Sequence, residues 1–251
     1  MIRRSFALPL AVAASLAGST VFAQDAMTDA EREAFRAEVR AYLLENPEVL
    51  VEAMDVLQQR QDAAQAAQEK QVLTDNHDAI FNDGVSWIGG NPDGDVTVVE
   101  FLDYRCGYCR KAWQEVDELV NSDGNIRFVM KEFPILGEQS VISSRFAIAV
   151  HQLHGDEAYR TTHDALISLR ADATPESLER LAGDLGYDWE PLKAKMDAPE
   201  VTAVIEANHA LAQKLQISGT PTFVVDGQLV RGYVPLDGMR QIIAQERAKE
   251  G

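Results

Sequence analysis

The stretch that most limits what this chain can become runs from Val96 to Val120. Val96-Thr97-Val98-Val99-Glu100-Phe101-Leu102 is β-branched and apolar enough to read as a buried strand. From Arg110 to Val120, Trp113, Val116, Leu119 and Val120 return at helical spacing. Between the two lies Cys106-Gly107-Tyr108-Cys109, which holds both cysteines of a 251-residue chain. The pair falls where a strand hands over to a helix N-terminus, and unpaired N–H groups and the helix dipole favour negative charge there. A thiolate on Cys106 is stabilised in that place, which is how a cysteine becomes reactive at neutral pH.

Three uses compete for such a pair. Zinc asks for about four protein ligands. With no third cysteine the others must be histidines, and His77, His151, His154, His163 and His209 show no paired ligand spacing near the motif. A purely structural disulfide would close so short a loop that it restrains the unfolded chain little. A redox-active dithiol is the favoured reading, and it implies neither a metal nor a cofactor.

The ends and the charge set the context. Residues 1–23 have the form of an export signal: Arg3 and Arg4, an apolar run from Phe6 to Ala17, and the small-x-small sequence Val21-Phe22-Ala23 before Gln24. That run is too short for a spanning helix. Arg3-Arg4-Ser5-Phe6 faintly resembles a twin-arginine signal, but ordinary Sec export is the simpler expectation. Residues 24–251 carry no other segment apolar enough to cross a membrane, so a soluble protein of an oxidising compartment, a bacterial periplasm, is expected. With 40 acidic against 23 basic residues the net charge is −17, which argues against nucleic acid or anionic lipid as partners.

Residues 27–75 differ in texture from the rest. Thr28 and Glu31 form a capping-box pattern, after which Phe35, Val39, Tyr42 and Leu43 make one apolar stripe at helical spacing. Glu45-Asn46-Pro47 breaks it, with Asn46 expected as N-cap and Pro47 at the first helical position of a second helix. Val49, Leu50, Ala53, Met54 and Leu57 line one side of that helix, which becomes Gln/Ala-rich from Gln58 to Gln71. Two amphipathic helices bury their own stripes poorly, so a partner surface is expected.

From Asn76 the pattern turns to mixed α/β. Ala79 to Ile88 is expected as a first strand, Gly89 to Asp95 as a turn cluster, and Ile126 to Phe133 as a strand ending at Pro134. A long helical stretch follows at about 138–215. Strands at Thr222 to Val225 and Gln228 to Tyr233 flank Asp226-Gly227, a hairpin signal, and Leu236 to Lys249 closes as a helix.

Taken together, these residues are similar to the thioredoxin superfamily, and within it to the DsbA-like branch. The resemblance covers roughly 76–249 and rests on three features in combination. The Cys106-Gly107-Tyr108-Cys109 motif sits at the strand-to-helix junction, Thr220-Pro221 before an apolar strand resembles the cis-proline loop, and Glu100, six residues ahead of Cys106, matches the buried acid beneath the active site. It implies an α/β thioredoxin fold at 76–251 with a helical domain inserted at about 138–215, preceded by an all-α segment at 24–75. It also implies thiol–disulfide exchange, with Cys106 attacking, Cys109 resolving the mixed disulfide, and Glu100 accepting the proton of Cys109 if buried. A cis Pro221 would expose the backbone of Thr220 to an extended client, while Gly107 and Tyr108 tune the pair and shape its surface. Arg105, Arg110 and Lys111 could lower the acidity constant of Cys106 further.

Tyr42-Leu43-Leu44-Glu45-Asn46-Pro47-Glu48-Val49-Leu50 resembles the N-terminal helical segment of suppressor-of-copper-sensitivity C proteins and related DsbA-like isomerases. That resemblance implies a homo-oligomer, with a trimer favoured, and an isomerase or reductase kept reduced by a DsbD-type membrane partner and acting on clients with disulfides or free thiols. Two alternatives stand beside it: a monomeric DsbA-type oxidase served by a quinone-linked membrane partner, and a protein whose dithiol sequesters Cu(I), to which thiolates are suited.

Overall fold

The computed structural model describes residues 27–250; the expected export signal, 1–23, lies outside them. The chain falls into two units, one up to Arg60 and one from Gln61. Among the described residues no helix is long and apolar enough to cross a membrane.

The first unit is built from α1 (Asp29–Glu45) and the opening turns of α2 (Glu48–Asp75). The capping box forms as expected: Glu31 N donates to Thr28 Oγ1 at 3.3 Å and Thr28 N donates to Glu31 Oε2 at 2.8 Å. Asn46 departs from expectation. Its side-chain Nδ2 and its backbone N–H both donate back to Tyr42 O, at 3.0 and 2.8 Å, so it closes α1 and does not cap α2. No residue of α1 is buried. Phe35, Val39 and Tyr42 on α1 and Leu50, Met54 and Leu57 on α2 are exposed, leaving the predicted stripes uncovered.

The second unit is organised around a five-stranded sheet in the order β1-β3-β2-β4-β5. The strands are β1 (Trp87–Gly90), β2 (Val96–Leu102), β3 (Ile126–Glu132), β4 (Thr222–Val225) and β5 (Gln228–Arg231). β2 and β3 run parallel, with Glu100 opposite Met130; the other pairs are antiparallel. Central β2 is apolar almost throughout because both its faces are covered. Val96, Val98 and Leu102 share a core with Trp113, Val116 and Leu119 of α4 (Gly107–Asp123), with α10 (Leu236–Glu250), and with the helices between β3 and β4. Those are α5 (Glu138–His154), α6 (Asp156–Ser168), α7 (Pro175–Asp184), α8 (Trp189–Met196) and α9 (Pro199–Lys214). On the other face Val99 and Phe101 meet Leu211 and Leu215, Leu73 of α2, and Ile80 and Phe81 of α3 (His77–Phe81).

Helix α3 corrects the expected strand at Ala79–Ile88; only Trp87 onward is extended. Adjacent Ile80 and Phe81 are both buried in the same core, which a short helix arranges more readily than a strand, whose successive side chains face opposite ways. Asp83 then turns the chain by accepting from Val85 N at 3.0 Å and Ser86 N at 2.9 Å, with Gly84 at φ 72°. The same carboxylate takes Lys131 Nζ at 2.6 Å. Lys131 is fully buried on β3, so removing Asp83 would strand an ammonium at a cost of about 3–5 kcal/mol. At the other edge Asp226-Gly227 makes the hairpin turn, Asp226 adopting φ 43°. The return strand ends at Arg231, before Gly232 at φ 85°, and leaves Tyr233 in the following loop.

Candidate active site

Cys106 is the residue immediately before α4 and Cys109 lies in its first turn; both are free thiols. The Asp103 side chain braces the loop that delivers them from β2 at three backbone points. Asp103 Oδ1 accepts from Arg105 N at 2.8 Å, and Oδ2 accepts from Ile135 N at 2.8 Å and Leu136 N at 3.0 Å. Asp103 O also takes Cys106 N at 3.0 Å.

Opposite stands the Thr220–Pro221 peptide, which is cis. Cys106 as a thiol donates to Thr220 O at 3.1 Å. Sequence positions 106 and 220 are therefore brought together at one point.

The two sulfurs are driven apart in acidity. A hydrogen bond from the Cys109 thiol, with others from Thr220 and from the backbone N–H groups of Cys109 and Tyr108, brings Cys106 down to about 5 against the opposing effect of burial. Cys109, only 1% exposed, is pushed up, first because its proton is committed to Cys106 and then by burial and by Glu100. Glu100 lies on β2, 2% exposed, and no hydrogen bond from the described residues reaches its carboxyl. Burial, with the nearby Cys106 charge, pushes it up to about 8.

The three basic neighbours are not among the main causes of this. Arg105 is engaged with Ala171 O at 3.1 Å and Asp172 at 3.4 Å, Arg110 Nε donates to Tyr104 O at 2.8 Å, and Lys111 Nζ lies 4.2 Å from the centroid of the Tyr233 ring. The main causes of the acidity of Cys106 are hydrogen bonds.

Of the intervening residues, Gly107 opens α4 with empty space where a Cβ would stand, and Tyr108 is 63% exposed. Tyr108 stacks on Tyr233 at 6.4 Å between centroids and 25° between planes, and Tyr233 Oη donates to Glu115 Oε1 at 2.5 Å. Tyr233 is absent from the sequence-based site, where it reads as the end of a strand; its position directly after Gly232 is the one local sign that it belongs to a loop. Glu132, at the end of β3, is likewise unexpected: it is 3% exposed and burial pushes it up to about 7 despite hydrogen bonds from Tyr159, Ser144 and Tyr104.

Residues 97–244 match the DSBA-like thioredoxin domain, and residues 31–64 match the Copper resistance protein ScsC N-terminal domain. A thioredoxin-like oxidoreductase from Silicibacter pomeroyi is 45% identical, with a TM-score of 0.64 over 70% of this chain and 99% of that one. Proteus mirabilis ScsC in a transitional conformation is 28% identical, with a TM-score of 0.65 over 89% of this chain and 98% of that one. The Na(+)/H(+) antiporter NhaA 1 of Salinispora arenicola is 29% identical over 157 residues, which make up 61% of this chain and 23% of the antiporter. The chain thus spans less than a quarter of the length of that curated relative.

Proposed function

This chain belongs to the DsbA-like family of thiol–disulfide oxidoreductases, and from that premise we propose that it is a periplasmic disulfide isomerase and reductase, working as a homotrimer. The observation that carries the reading is the N-terminal helical unit. Its apolar stripes stay uncovered on α1 and the start of α2, in a stretch that matches the ScsC N-terminal domain, and contiguous exposed apolar surface of this kind marks an interface. The form of residues 1–23 supports export.

In the proposed cycle the Cys106 thiolate attacks one sulfur of a client disulfide. A Cys106–client bond forms and the other client sulfur leaves as thiolate. In isomerisation, a second client thiolate then attacks the mixed disulfide and expels Cys106. In reduction, Cys109 passes its proton to Glu100 in its ionised form and attacks Cys106 Sγ, releasing the reduced client and leaving the Cys106–Cys109 disulfide for a DsbD-type membrane partner to reduce. Thr220 offers backbone to the extended client beside the sulfurs, while Gly107 and Tyr108 form the surface it meets.

The test is isomerisation of a scrambled-disulfide protein by residues 24–251, together with the thiol state of the protein in cells. We expect regain of native pairing and a mostly reduced dithiol. A dithiol found mostly oxidised, with no isomerase activity, would assign the chain to the oxidase class served by a quinone-linked partner.

Glu100 supplies a second test. Its proton is held up to about 8 in the folded protein, whereas a carboxyl of the unfolded chain releases it near 4.3. Unfolding therefore releases a proton between those values, and this group makes stability fall as pH rises through the window. Glu100→Gln is expected to flatten that slope, so that the variant is more stable than the parent at pH 8. It should also slow reduction near pH 8 and just above, where Glu100 becomes ionised and can accept from Cys109, with the defect shrinking at lower pH, where both forms are neutral, and at still higher pH, as Cys109 ionises unaided. A defect of equal size at every pH would exclude the acceptor role.

A further inference from the structure

Tyr104 lies two residues ahead of Cys106 and is 1% exposed. Its hydroxyl donates to Glu132 Oε1 at 2.8 Å. Tyr159, from α6, donates to the same oxygen at 2.6 Å, and Ser144, from α5, donates to Oε2 at 2.7 Å. These groups fill the seam where the end of β3 meets the helices between β3 and β4. Asn208 of α9 closes it by donating Nδ2 to Glu132 O at 3.0 Å. Because the phenol proton of Tyr104 goes to Glu132, His163 Nδ1, 3.2 Å from that phenol oxygen, must carry a hydrogen and donate it. His163 Nε2 is then the acceptor nitrogen, buried without a partner among the described residues.

The main chain of Tyr104 is tied as firmly as its side chain. Its carbonyl accepts from Arg110 Nε at 2.8 Å, and Arg110 N in turn donates to Cys106 O at 3.1 Å. One residue thus joins the seam, the loop and the first turn of α4. The bond does not depend on the charge of Glu132. A proton on that carboxyl would sit on Oε2 and go to Ser144, leaving both phenols on Oε1.

We infer that Tyr104 is a positioning residue for the dithiol: its hydroxyl, anchored on Glu132 between the sheet and the inserted helices, fixes the loop that sets Cys106 at the start of α4. Apart from Thr220, the sulfur's donors are the N–H groups of Tyr108 and Cys109 and the Cys109 thiol, all in the first turn of α4, so a loosened loop moves Cys106 away from them. This rests on the reading of Cys106 as the attacking thiolate.

Two phenols on one oxygen make the test. Tyr104→Phe and Tyr159→Phe each delete one hydroxyl from Glu132 Oε1 and keep the ring that fills the core, but only Tyr104 touches the active-site loop. In the reduced full chain, followed by the ultraviolet absorbance of the thiolate, Tyr104→Phe should raise the Cys106 midpoint by about half to one pH unit, about three- to tenfold less thiolate below the midpoint. Tyr159→Phe should leave it in place. An unmoved midpoint in Tyr104→Phe, or equal shifts in both variants, overturns the inference. Should Tyr104→Phe not fold, Glu132→Asp, which draws the carboxylate back from the phenol, must give the same shift or the inference fails. A parent midpoint near the ordinary thiol value, about 8.5, would instead remove the attacking-thiolate reading itself; a depressed parent midpoint that Tyr104→Phe does not move removes only the role of Tyr104.

Discussion

Cys106→Ser is expected to abolish reduction of a protein disulfide, a loss of roughly 10³-fold or more, about 4 kcal/mol of transition-state stabilisation. Cys109→Ser is expected to accumulate mixed disulfides with client proteins. The asymmetry follows from how the two sulfurs are held. Cys106 stands before α4 with donors turned toward it and its acidity drawn down to about 5, so at neutral pH it is already the nucleophile. A serine hydroxyl in that place stays protonated and cannot form the sulfur–sulfur bond. Cys109 is buried with its proton committed to its partner, so it enters only after the first bond has formed. Its removal spares attack and blocks release. Non-reducing electrophoresis of cell extracts checks both outcomes, and equal trapping by the two serine variants would refute the assignment.

The second large effect is expected from deleting residues 24–60. The cut is placed after Arg60 because the later turns of α2 are part of the catalytic unit: Leu73 is buried against Ile80 and Leu215, and Glu69 pairs with Arg231 at 2.7 Å. The truncated protein should be a folded monomer that still reduces simple disulfides, since no group of the dithiol site is touched. Its isomerase activity should fall about tenfold or more, because tethered active sites meet one misfolded client at an effective concentration that free ones cannot match. Leu50→Asp with Leu57→Asp, both on the exposed stripe, should reproduce the loss in the full chain. Light scattering and a scrambled-disulfide assay together decide the matter. A full-length mature protein that runs as a monomer at micromolar concentration, or a truncated one with undiminished isomerase activity, would rule out the trimeric reading.

What could be read beforehand was what local chemistry dictates. A β-branched run into a Cys pair reads as a strand feeding a helix, Asp226-Gly227 reads as a two-residue hairpin, and Thr28 with Glu31 reads as a helix start; each signal is complete within a few residues. The errors fall where a distant partner decides. Ala79 to Ile88 looks extended until Phe101 and Leu215 arrive to bury Ile80 and Phe81 from one side. Asn46 is a good N-cap by type, but the Tyr42 carbonyl one turn back claims its side chain. Lys131 and Glu132, two charged residues ending a strand, resemble a solvated edge. Their partners lie 48 positions away at Asp83, and 12 to 28 away at Ser144, Tyr159 and Tyr104. No local pattern announces pairs at that separation, and so the seam beneath the active-site loop was invisible while the cysteines were plain.

The donors that hold the Cys106 sulfur have a consequence for how this chemistry can be inherited. Apart from Thr220 they are the second cysteine and main-chain N–H groups, and every residue except proline carries such a group. Arg105, Arg110 and Lys111 are occupied with a carbonyl and carboxylate, a second carbonyl, and an aromatic ring. Exchange of Arg105 or Lys111 would change the rim while the donors to the sulfur stay in place, whereas Arg110 also ties the Tyr104 carbonyl. Reactivity is thus carried by the path of the chain and the seam that fixes it, and the rim by side chains outside that path. The second is free to drift while the first stays put.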